Sequence, residues 1–174
     1  MIIIYNCYGG THSSILASAI HLGILPNDRI PSKKEILDLK FFNKLNYSDM
    51  GKLFFHGIDE AGNRIYTIGR GTSKALIPAM RNMAAELKTL YNIDDCFVFI
   101  NASPIVPASM TLGGFFSRGL KIHFIGVPLL AIGARKNYHK VLDLVKKAKK
   151  ACEEKPAQCT IVDIDGKGRL SYYS

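Results

Sequence analysis

The chain has 174 residues, of which 48% are apolar and 21% charged, and a formal net charge of +9. That length and balance fit one domain with a sizeable core and exclude a largely disordered chain. No apolar run approaches the roughly 18–20 residues that span a bilayer, and "MIIIYNC" lacks the basic start and long apolar segment of a secretion signal. A soluble, cytoplasmic protein without a membrane partner is expected.

In chain order, "MIIIYN" is a continuous apolar, β-branched run and predicts a buried strand. A glycine-rich junction, "CYGGTHSS", follows. Ser13 to Leu22 then predicts a helix with Gly23 as its stop. The next stretch carries Pro26 and Pro31 and a short amphipathic segment at residues 33–39, and reads as an excursion over the surface. "KLFFHGIDEAGNRIYTIGRG" predicts two strands joined by a polar turn. "SKALIPAMRNMAAELKTLYN" predicts a helix with Pro78 near its first turn or at a kink, and "CFVFINAS" another buried strand.

"PASMTLGGFFSRGL" is compatible with a helix that Gly113 and Gly114 weaken or pack closely. "KIHFIGV" predicts a strand, "GARKNYHKVLDLVKKAKKAC" a long helix, and "CTIVDIDGKGRLSYYS" a hairpin turning at residues 165–168. This alternation predicts an α/β fold: a mainly parallel sheet with helices on both faces, an antiparallel hairpin near 52–69 and a C-terminal hairpin. Without repeats or linkers, residues 1–174 form a single domain, with 1–151 as its core and 152–174 as a hairpin extension.

Much of the positive charge falls on "KVLDLVKKAKK". At helical spacing, Tyr138, Val141, Leu142, Val145, Ala148 and Cys152 share one face and the lysines form the solvated one. Nucleic-acid binding is not expected, because no aromatics interleave with the basic residues and no known module is present. Cys7, Cys96, Cys152 and Cys159 lack metal-ligand spacing, so no metal or other cofactor is expected. Cys96 reads as a core residue.

The junction behind the first strand is the candidate site, since ligands of parallel sheets collect at strand carboxyl ends. Gly9 and Gly10 let the backbone turn sharply and present N–H groups to an anion. The helix starting near Ser13 adds unpaired amides and partial positive charge, and Thr11, Ser13 and Ser14 add hydroxyls. The same field favours a thiolate at Cys7, a candidate nucleophile, with His12 as its acid–base partner. The simpler alternative is a tight turn with Thr11 or Ser13 capping the helix and Cys7 as a small buried residue. Asn101 and Ser103 follow a strand end, where Ser103 also suits a capping role. Arg118 and Arg135 are the candidate cations for a bound anion, with Gly133 allowing a helix N-terminus to approach it. His56, Asp59 and Glu60 lie at the first hairpin, either as acid–base groups or as strand and turn residues, the reading favoured. His21 and His123 stand in apolar surroundings and read as structural.

The loop lacks the lysine of a Walker A motif, and "DEAG" is better explained as a hairpin turn. The loop resembles that of low-molecular-weight tyrosine phosphatases, in which Cys is followed by five residues, Arg and Ser. Cys7 and Ser14 fit that frame, but Ser13 stands in the place of the phosphate-binding Arg. It is also similar to the phosphocysteine loop of lactose/cellobiose-type IIB domains, which needs no Arg. Over roughly 1–145, "IIIYNCYGGTHSS", "AIHLGILP", "GIDEAGNRIYTIGRG", "TLGGFFSRGL" and "GVPLLAIGARKNYHKVLDLV" resemble domain-of-unknown-function family 3189 of spore-forming Firmicutes. That resemblance implies a bacterial cytoplasmic protein and no established activity. The expected function is binding of a phosphorylated or other anionic small molecule at the loop from Cys7 to Ser14, with thiol-dependent phosphoryl chemistry as its sharper form. The alternative is a non-enzymatic regulatory or protein-interaction module, linked to sporulation by the family's distribution.

Overall fold

The β-branched and aromatic runs pair as strands, and the runs with apolar residues three and four apart cover them as helices. The computed structural model describes residues 1–105, 123–154, 161–165 and 167–173. In chain order they form β1 (Ile2–Cys7), α1 (Ser13–His21), α2 (Lys33–Leu37), β2 (Leu53–Ile58), β3 (Arg64–Gly69), α3 (Leu76–Tyr91) and β4 (Phe97–Asn101). After these come α4 (His123–Lys136), α5 (Tyr138–Glu153), β5 (Ile161–Ile164) and β6 (Leu170–Tyr173).

One six-stranded sheet runs in the order β2-β3-β1-β4-β5-β6. β1 pairs in parallel with β3 and β4, and β4 with β5. The β2–β3 and β5–β6 hairpins are antiparallel, as their turn chemistry predicts. Asp59 accepts the amides of Ala61 and Asn63 in the first turn, and Asp165 those of Lys167 and Arg169 in the second.

Central β1 is buried on both faces, which is why its sequence is apolar without alternation. Ile3 and Tyr5 join Ile15, Leu130, Val141 and Val145 in the larger core, under α1, α4 and α5. Ile4, Ile68 and Phe99 face the other way, against Ala84, Ile77 and Met80 of α3. On α5, Tyr138, Val141, Leu144, Val145, Ala148, Ala151 and Cys152 are buried, so the lysines do form its solvated side. None of the helices among the described residues is long and apolar enough to cross a membrane.

Two expectations are corrected. From His123 onward "KIHFIGV" is helical, the start of α4, because a short apolar run without periodicity does not distinguish a helix from a strand. The long helix expected over 133–152 is two helices, with Gly133 inside α4 and a break at Asn137, whose φ of −106° and ψ of 12° are not helical. Asn137 donates its side-chain amide to the Gly133 carbonyl, the local competition that makes Asn a poor helix-interior residue. The segment "PASMTLGGFFSRGL" with Arg118, and Cys159, lie outside the described residues.

Candidate functional site

From β1 the chain passes through α1 and α2 to β3 on one side, then through α3 to β4 on the other. The carboxyl ends of β1 and β4 are therefore a topological switch point, where open α/β sheets leave a crevice. Two structures meet there: the opening loop and a cavity under the start of α3.

The glycines of the loop serve close packing. Gly10 has φ +65°, and a Cβ there would stand 2.5 Å from the Gly69 nitrogen; one on Gly69 would stand 2.9 Å from the Gly9 carbonyl. Arg70 and Gly71 donate their amides to the carbonyls of Cys7 and Tyr8, fastening the loop to the exit of β3. Thr11 is buried and spends its hydroxyl on the Phe41 carbonyl at 2.7 Å, while accepting the amides of Lys44 and Leu45. It does not cap α1. The N-cap position is His12, which makes no side-chain cap bond and whose Nε2 lies 3.2 Å from Asn43 Oδ1. Among the described residues no hydrogen bond uses the amides of Gly9, Gly10, Ser13 or Ser14, and the buried Ser13 hydroxyl has no partner. Cys7 is 3% exposed, with Sγ 3.1 Å from Ser14 Oγ.

On the other face of β1, one residue earlier, Asn6 lines a cavity of about 610 Å³. Arg70, Lys74, Asn101, Asp163 and Arg169 also line it, over an apolar floor that includes Ile77 and Phe99. Arg70 donates to Ser103 Oγ at 3.2 Å, and Asn101 Oδ1 accepts the Ser103 amide, so Asn101 supplies the turn bond and Ser103 holds the guanidinium. Arg169 is paired with Asp165 at 2.6 Å, and Arg81 with Asp163 at 2.9 Å. The Arg169 amide and guanidinium, with the Lys167 amide, hold the Asp165 carboxyl down at about 2. Burial raises the Asp163 carboxyl against the opposing pull of Arg81. Among the described residues neither Arg70 nor Lys74 has a carboxylate partner.

The remaining candidates go elsewhere. Arg135, in the last turn of α4, gives its Nε to the Pro31 carbonyl at 3.0 Å and is not among the residues lining the cavity. His56 bonds Thr67 Oγ1 at 2.8 Å and packs edge-on to Phe41. Asp59 sits at the opposite end of the sheet, where it accepts from His21, so neither belongs to the loop. Sequence reasoning missed Arg70, Lys74 and Asp163. The legible signal for the first two was "GRGTSK", a glycine-rich basic segment between a parallel strand and a helix. Asp163 carried none, because it reads as an ordinary strand residue until β5 pairs with β4.

The fold and this crevice define an α/β protein with a mixed-charge cavity at the carboxyl ends of its parallel strands. The family model for a protein of unknown function, DUF3189, matches residues 2–150, and the chain belongs to that family. No curated protein and no solved structure matches it.

Proposed function

We propose that this chain binds a phosphorylated or otherwise anionic small molecule at the carboxyl ends of β1 and β4. The observation that carries this reading is the pair Arg70 and Lys74, which line the cavity without a carboxylate partner among the described residues. An anion offers such cations charge-assisted hydrogen bonds of the strong kind. The unused amides at the start of α1 offer a second anion contact across the end of β1.

In its sharper form the anion contact is the one at the start of α1, on the Cys7 face of β1, and Cys7 acts there covalently. The thiolate sulfur attacks phosphorus, the ester P–O bond breaks, and the departing oxygen takes a proton supplied by His12. The contact of Cys7 with Ser14 at the start of α1 supports this form.

Calorimetric titration of the full chain with methyl phosphate tests the binding. Wild type should bind, and Arg70→Gln with Lys74→Gln should weaken affinity at least tenfold with the far-UV spectrum unchanged. Equal affinity in the double variant overturns the assignment. If no phosphorylated probe binds wild type, the regulatory or protein-interaction module stands instead, sporulation being the form that the family resemblance suggests. Alkylation of folded protein, followed by peptide mass spectrometry, tests the thiol. A Cys7 faster than Cys96 and Cys152 and protected by methyl phosphate keeps the covalent form; a slow, unprotected Cys7 removes it and leaves binding alone.

A further inference from the structure

The cavity is far larger than one phosphate group requires, and its two ends differ. Arg70 and Lys74 stand at the β3–α3 junction, while Asp163, Asp165 and Ser171 stand on the β5–β6 hairpin. Asp165 is fully engaged: Oδ1 accepts the amides of Lys167 and Arg169, and Oδ2 accepts Arg169 Nε. Asp163 is not. Its Oδ2 takes Arg81 Nη1, but its Oδ1 is buried without a partner among the described residues. A buried carboxylate oxygen in that state calls for a donor.

The residues between the two ends offer both polarities. Asn6 Nδ2 is used by the Ile100 carbonyl, which leaves Oδ1 as an acceptor. Asn101 Oδ1 is used by the Ser103 amide, which leaves Nδ2 as a donor. Hydroxyl groups both donate and accept, so they match this mixture. An ammonium group only donates, and it would sit beside Arg81 and Arg169, each already paired with its carboxylate. A hydroxyl satisfies Asp163 Oδ1 without adding a third positive charge.

Building on the anion site proposed above, we infer that the ligand is a phosphorylated polyol of the sugar-phosphate class. Its phosphate lies toward Arg70 and Lys74, a hydroxyl donates to Asp163 Oδ1, and its carbon skeleton lies over Ile77 and Phe99. Asp163 is then the residue that separates a sugar phosphate from a bare phosphate ester.

The test titrates the full chain with methyl phosphate, ribose 5-phosphate and phosphoethanolamine. Wild type should bind ribose 5-phosphate about tenfold tighter than methyl phosphate, and phosphoethanolamine no tighter than methyl phosphate. Asp163→Asn should erase most of the ribose 5-phosphate margin and leave methyl phosphate within about twofold. Equal wild-type affinities for methyl phosphate and ribose 5-phosphate overturn the inference while the anion site survives. So does a preference for phosphoethanolamine, or a margin that persists in Asp163→Asn. Failure of all three probes to bind overturns both. Should Asp163→Asn not fold, the wild-type ratio alone decides.

Discussion

Asp59 accepts four hydrogen bonds from described residues at the amino end of the sheet. It accepts the amides of Ala61 at 3.0 Å and Asn63 at 2.8 Å, the Asn63 side chain at 2.9 Å and His21 Nε2 at 2.9 Å. Because Nε2 donates, His21 Nδ1 is the acceptor for the hydroxyl of fully buried Tyr5, 2.8 Å away. Burial opposes the Asp59 charge, but the Asn63 and His21 bonds together hold its carboxyl below the ordinary range. Asp59→Ala strands a buried imidazole and opens the turn, and should cost about 3 kcal/mol in urea unfolding. Gly10→Ala combines a positive φ with backbone overlap on Gly69, and should cost roughly 3 kcal/mol or more by the same assay. Gly10 was legible as a turn glycine. Its second constraint, contact with Gly69 some sixty positions away, was not, because sequence spacing says nothing of which turns touch.

At the scale of elements, α1 and α3 cover opposite faces of one sheet very unequally. All nine residues of α1 are buried, whereas Ala84 is the one fully buried residue of α3, and Met83, Leu90 and Tyr91 are largely exposed. Local opening needs few contacts to break where few are buried. Amide exchange should therefore be slowest in α1 and several orders of magnitude faster in the last two turns of α3. Equal protection in the two helices would contradict this account. Among the described residues, Arg81 ties α3 to the sheet through Asp163. Arg81→Met should lower stability by about 2 kcal/mol and speed α3 exchange in particular. The helical pattern of both segments was plain from their periodicity. How deeply each is buried was not, since that depends on which strands lie beneath.

For the whole molecule, two consequences follow. The β5–β6 hairpin completes the sheet beyond β4, with Ile161, Val162 and Ile164 buried. At roughly 2 kcal/mol per side chain, these three represent much of a domain's net stability of about 5–15 kcal/mol. A chain ending at Glu154 should accordingly lose its cooperative thermal transition and aggregate through the bare β4 edge. The second consequence concerns acid. Burial lowers His21, and burial together with Lys40 lowers His56 to about 4, both from an ordinary 6.5. Below that ordinary value the unfolded chain takes up protons that the folded one refuses, so stability is full above about pH 6.5 and falls toward pH 4. Melting temperatures measured from pH 7.5 to 4.5 should drop through this window, and His56→Gln should flatten the decline.

The sequence by itself determined the fold class, the two hairpins and their turns, and the solvated lysine face of α5. Each rests on interactions a few residues apart: apolar periodicity, turn glycines and carboxylates accepting nearby amides. Local information misled at "KIHFIGV", read as a strand but helical from His123 onward, for an apolar run without periodicity serves either. Only the tertiary structure decided that Cys7 and the cavity lie on opposite faces of β1. It alone brought Arg70, Lys74 and Asp163 to one crevice and sent Arg135 to Pro31. Those placements depend on strand order and on crossovers spanning tens of residues, and strand order is set by how whole faces pack rather than by any short stretch of chain.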